Sequence, residues 1–124
     1  MEKLPKINII YEDNHLLVVE KPVNIPVQED ISQDIDMITL LKKYRIKKEN
    51  KKGDAYIGLV HRLDRPVGGI MVFAKTSKAA SRLSEEIRNN TFHKTYLAVI
   101  QGTMPKEGKL EDYLIKDNNR NISY

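Results

Sequence analysis

Apolar and polar positions along the chain sort into short alternating runs and two stretches with helical spacing. Ile7–Tyr11 and His15–Glu20 read as two short strands, with Glu12-Asp13-Asn14 as the turn between them. Lys21-Pro22 closes the second strand, because proline fixes its backbone and donates no hydrogen bond. Val23–Val27, with Pro26 inside it, is an extended loop. Asp34 or Asp36 caps a helix running to about Lys47, in which Ile35, Ile38, Leu41 and Tyr44 recur at regular spacing. Thr76 or Ser77 caps a second helix ending near Asn89-Asn90, with Ala79, Ala80, Leu83 and Ile87 as its buried stripe. Phe92–Gln101 reads as the clearest strand. Tyr96, Ala98 and Ile100 share one face, and Thr95, Leu97 and Val99 the other. Both faces are largely apolar, so this strand is expected to be central. Gly102–Gly108 is a turn region, Lys109–Ile115 a further strand, Asp117-Asn118-Asn119 a turn, and Arg120–Tyr124 the start of another element.

The stretch Leu59–Lys75 stands apart. An apolar run leads into His61-Arg62-Leu63-Asp64, a Pro/Gly turn follows, and a second apolar run, Ile70–Ala74, leaves it. In an extended segment alternate side chains share a face, so Arg62 and Asp64 point one way and His61 and Leu63 the other. Leu63 then anchors the segment while the charged pair faces a cleft. Arg62 and Arg65, on either side of Asp64, favour its ionised form. Without the flanking motifs this aspartate reads as a structural partner of Arg62 or a turn cap. His61 reads as a packed or hydrogen-bonded support for the loop, because its face is opposite that of Asp64. His15 and His93 are isolated from it, so no metal-ligand spacing is present.

These elements make an α+β chain with a mixed, mainly antiparallel sheet and two flanking helices. At 124 residues the chain is expected to form a single domain, residues 1–124. Twenty-one basic against seventeen acidic side chains give a formal charge of +4, compatible with an anionic partner. The basic window Lys42, Lys43, Arg45, Lys47, Lys48, Lys51, Lys52 is either a solvated face or an edge that contacts phosphate. Lys21, at the end of its strand, either points toward whatever binds there or is an ordinary surface lysine. The chain has no cysteine, which excludes disulfides, thiolate metal sites and cysteine nucleophiles. The N-terminal residues lack the apolar core of a secretory signal, and no run approaches bilayer-spanning length, so a cytoplasmic protein without a membrane partner is expected.

Three ordered motifs carry a family resemblance. His61-Arg62-Leu63-Asp64, followed by Gly69 and Ala74-Lys75, resembles the active-site signature of RluA-type RNA pseudouridine synthases. Lys21-Pro22 after a strand resembles that family's first motif, and Lys94-Thr95-Tyr96-Leu97-Ala98 its lysine-tyrosine motif. Where many members carry Thr-Ser-Gly, this chain has Val67-Gly68-Gly69. A later family motif supplies an arginine that pairs with the catalytic aspartate and an apolar residue near the uracil. It has no counterpart here, so the chain is expected to be the N-terminal portion of a longer catalytic fold, truncated at its C-terminal end.

The resemblance implies an isomerase that converts specific uridines to pseudouridine in rRNA or tRNA, with no cofactor and no metal. It implies Asp64 as the catalytic carboxylate, acting at the sugar or at the base of a flipped uridine. Arg62 is implied to fill the vacated space, Tyr96 to stack on the uracil or handle a ribose proton, and Lys94, Arg65 and Lys21 to contact RNA. Tyr96 reads alternatively as a core tyrosine, and the whole chain as a non-catalytic basic RNA-binding module. Two further expectations follow from truncation: weak or absent turnover by these residues alone, and self-association through an exposed strand edge.

Overall fold

The computed structural model describes residues 4–120 and 122–123. The chain, read above as one domain, divides into two compact units, Met1–Lys94 and Thr95–Tyr124.

In the first unit, strands β1 (Asn8–Glu12), β2 (Leu16–Lys21), β3 (Gly58–Leu59) and β4 (Gly69–Ala74) form one antiparallel sheet in the order β1-β2-β4-β3. The β1–β2 turn falls where the Glu12-Asp13-Asn14 run predicts it. Asp13 Oδ1 accepts the backbone N–H of His15 and of Leu16, each at 2.7 Å, which fixes the reversal. Alternation along β2 and β4 sends Leu17, Val19, Met71 and Phe73 into the interior, where all four are fully buried.

Helix α1 (Met37–Lys48) joins that core through Met37 and Leu41, together with Val27 and Ile57. Its N-cap is Asp36, whose side chain accepts from Thr39 N at 3.1 Å. Ile35 therefore precedes the helix, and the buried stripe is Met37, Leu40, Leu41 and Arg45 rather than one starting at Ile35. Helix α2 (Ser77–Arg88) is capped by Thr76 as the sequence allows, and buries Ala79 against the sheet. It comes so close to β3 that a Cβ on Gly58 would lie 3.0 Å from Ala80 Cβ and 3.1 Å from Ala74 Cβ.

Buried charge ties β1, α1 and the β4–α2 junction together. The Glu12 carboxylate accepts hydrogen bonds from Lys75 Nζ (2.8 Å), Tyr44 Oη (2.6 Å) and Lys48 Nζ. Burial alone would raise its pKa, but the hydrogen bonds from Lys48, Lys75 and Tyr44 outweigh it and hold the value at about 2. Arg45 is buried as well and donates to the carbonyls of Tyr56 and Lys75 and to Glu49. Arg45, buried, and Lys48, exposed but paired with Glu12, are thus structural members of the basic window; Lys43, Lys47, Lys51 and Lys52 are exposed.

The second unit contains one short hairpin, β5 (Lys116–Asp117) with β6 (Ile122–Ser123). Asp117 Oδ1 accepts from Asn119 N and Arg120 N, so the expected turn is present. Of the element expected at Arg120–Tyr124, residues 121 and 124 lie outside the described residues. Two expected strands are not formed: residues 93–100 and 109–115 have no regular structure. A strand apolar on both faces needs a hydrogen-bonded neighbour and covering layers. Among the described residues, no strand pairs with either segment.

Candidate active site

The HRLD segment runs from β3 into β4. His61 and Leu63 turn inward and Arg62 and Asp64 outward, as alternation requires. Leu63 packs against the core. His61 Nε2 accepts the backbone N–H of Val72 at 3.1 Å, and its ring lies 5.4 Å from that of Phe92, tilted by 57°. The imidazole thus stands in for a backbone carbonyl beside β4, which requires the neutral ring with Nε2 unprotonated. Burial, aided by the charge of Lys94, pushes its pKa below the ordinary histidine value. Among the described residues there is no group of three acidic or histidine side chains that could hold a metal ion.

The loop after Asp64 is fixed from below. The Val67 N–H closes a turn onto the Asp64 carbonyl at 2.9 Å, and the Asn24 N–H reaches the Arg65 carbonyl at 2.8 Å. Lys21 does the rest. Only 1% exposed, it donates to the carbonyls of Pro22 (2.9 Å), Arg65 (3.0 Å) and Val67 (2.7 Å). This corrects the expectation that Lys21 reaches outward to RNA: its three N–H groups are all spent on backbone oxygens. Burial lowers its pKa, the charge of Arg65 adds to that, and the carboxylate of Asp64 opposes it. Gly68 sits where the loop crosses the end of β2, and a Cβ there would come within 3.2 Å of the Lys21 carbonyl oxygen.

Asp64 is exposed on this loop, and among the described residues its carboxylate accepts no hydrogen bond and makes no ion pair. The alternative reading of Asp64 as a structural partner of Arg62 is corrected: neither flanking arginine pairs with it. Arg62 Nη2 donates to Gln28 Oε1 at 3.3 Å, while Arg65 pairs with Asp34 at 2.5 Å and lies 4.0 Å from Asp30. The cause is the loop after β2, which places an amide beside Arg62 and two carboxylates beside Arg65. Sequence reasoning used Asp34 only as a candidate helix cap. Its pairing spans 31 positions, so no local pattern marks it.

Lys94 closes the first unit and acts electrostatically on His61. Tyr96 belongs to the second unit and is exposed in an irregular segment, not carried on a strand. Two hollows of the first unit, about 900 and 670 Å³, lie along α1; Arg65 borders the larger of them, and Asp64 borders neither.

A family model described as RNA pseudouridylate synthase matches residues 15–124. The chain belongs to this family. An uncharacterised RNA pseudouridine synthase of Mycoplasma genitalium is 35% identical over 94% of this chain and 37% of its own length. A ribosomal large subunit pseudouridine synthase C of Buchnera aphidicola is 31% identical over 92% of this chain and 35% of its own length. The chain therefore spans about a third of the length of these curated relatives. Among solved structures, the human RNA pseudouridylate synthase domain containing 4 matches with a TM-score of 0.58 and 26% identity, covering 68% of this chain and 30% of that one. The antiparallel α+β architecture agrees with this membership, and the matched segment contains the HRLD loop.

Proposed function

We propose that this chain carries the catalytic aspartate of an enzyme that isomerises uridine to pseudouridine in structured RNA, with Asp64 in that role. The observation behind the reading is a carboxylate held out on a backbone-pinned loop with no partner among the described residues. A carboxylate meant only to stabilise the fold is normally paired or hydrogen-bonded. This one is positioned but unspent.

The chemistry balances within the substrate. The bond from N1 of the base to C1′ of the ribose breaks, a bond from C5 to C1′ forms, the proton on C5 departs and one is gained at N1. A carboxylate contributes by bonding transiently to the sugar or the base, or by stabilising positive charge at C1′. Either role needs the uridine turned out of its stack, at a cost of a few kcal/mol. Arg62, exposed on the same face as Asp64, is suited to fill the gap with its planar guanidinium. Lys94 and Arg65 are suited to contact phosphate and Tyr96 to stack on the base. The substrate is proposed to be rRNA or tRNA, the Buchnera relative being named a ribosomal large subunit pseudouridine synthase.

The test is pseudouridine mapping of rRNA and tRNA from cells with and without the gene. Loss of one or more defined pseudouridines on deletion, restored by the gene in trans, is the expected result. An unchanged map would reject the enzyme and leave RNA binding alone.

A further inference from the structure

We propose that the acidic segment around Asp30 and Asp34 is an internal competitor for the RNA backbone, occupying Arg65, the arginine that follows Asp64, until phosphate displaces it. This rests on the RNA reading above and adds a regulating contact to it.

The segment 28–34 is a preformed turn. Asp30 Oδ1 accepts from Ser32 N at 2.9 Å and from the Ser32 hydroxyl, Gln33 N donates to the Asp30 carbonyl at 3.2 Å, and Asp34 N donates to Ser32 Oγ at 3.2 Å. This local bonding aims both carboxylates at Arg65, whose Nη1 also donates to Ser32 Oγ at 3.2 Å. Gln28, at the start of the same turn, takes Arg62. One short segment thus engages both guanidinium groups beside Asp64. Carboxylate oxygens on an arginine fork occupy the positions that phosphate oxygens would take.

The contact is built to exchange. The side chains of Arg65, Asp30 and Asp34 are 40%, 41% and 55% exposed, so water and salt reach the pair. Ile31, between the two acids, is fully exposed and has no packing that would hold the turn down. Hydrogen bonding and charge from Arg65 keep the Asp34 carboxyl below the ordinary aspartate range, so it is anionic at neutral pH. An RNA strand arriving at Arg65 therefore has to displace an anion first. Once free, that anion repels phosphates that are not correctly seated.

The experiment is a salt titration of the affinity of this chain for a labelled uridine-containing RNA stem-loop, with wild type, Asp34→Asn, Arg65→Ala and the double variant. Asp34→Asn is expected to bind about two- to five-fold tighter at low salt. Its slope of log affinity against log salt steepens by about 0.7–0.9, the value of one additional phosphate contact. In the Arg65→Ala background the same substitution has no effect. Wild-type binding with no gain from Asp34→Asn overturns the competitor and leaves the RNA reading standing. A gain that persists without Arg65 overturns it as a bulk charge effect. No binding by any variant overturns both.

Discussion

Lys21 takes three donors into the interior, where an unsolvated ammonium is tolerated only if each finds an acceptor. It finds them in the carbonyls of Pro22, Arg65 and Val67, so it fastens the end of β2 to the loop that presents Asp64. Lys21→Met leaves those carbonyls without a donor, and a destabilisation of about 1–3 kcal/mol is expected. Amide exchange should rise most at residues 65–68. A stability loss with no local change in exchange would contradict the pinning role. Nothing in the sequence marked this, because lysine is among the least buried residues and its partners are backbone oxygens 44 and 46 positions away. His61 was readable, since strand alternation alone puts it on the face opposite Asp64. Its depressed pKa means that the folded state resists protonation. The stability it confers is complete above its ordinary value of 6.5 and declines as pH falls below that. Following its ring proton resonances through a pH titration should show a midpoint below the ordinary histidine value of 6.5; a higher one would contradict the Val72 contact.

Elements with local signatures were legible. The β1–β2 hairpin follows from alternation around an Asp turn, and both helices begin at an Asp or Thr that caps them. Strands that depend on neighbours were not legible. Residues 93–100 have the composition of a central strand, but composition specifies a partner without supplying one. The contact between α2 and β3 is set by Gly58, where any side chain would press on Ala74 and Ala80. Tyr56 Oη, 2.9 Å from the hypothetical Cβ, can swing aside, whereas those two methyl groups are fixed by a strand and a helix. Gly58→Val is accordingly expected to cost about 1–3 kcal/mol by overpacking, read as a lower denaturant midpoint. An unchanged midpoint would mean that α2 is free to shift outward.

At the scale of the molecule, the cluster of Glu12, Lys75, Lys48 and Tyr44 joins elements that are distant in sequence. With the Glu12 carboxyl held at about 2 against an ordinary 4.5, its contribution is complete above about pH 5 and is lost as pH falls toward 2. Asp13, also held at about 2 by the N–H groups of His15 and Leu16, acts in the same window. Glu12→Gln leaves Lys75 buried without its counter-charge and is expected to cost about 3 kcal/mol at neutral pH, the low end of such losses because Lys75 keeps the Asp13 carbonyl. The difference from wild type should shrink below pH 4; a constant difference would contradict the cluster. The family motifs and the antiparallel α+β class were legible in the sequence because they are ordered and local. The arginine partners on the 28–34 turn were not, being long-range side-chain pairs.

The central claim is that Asp64 does chemistry, and cells whose gene carries Asp64→Asn test it most directly. The account predicts that the pseudouridines dependent on the wild-type gene are absent from their RNA, while the variant protein accumulates and melts as the wild type does. The same pseudouridines at wild-type levels would contradict it.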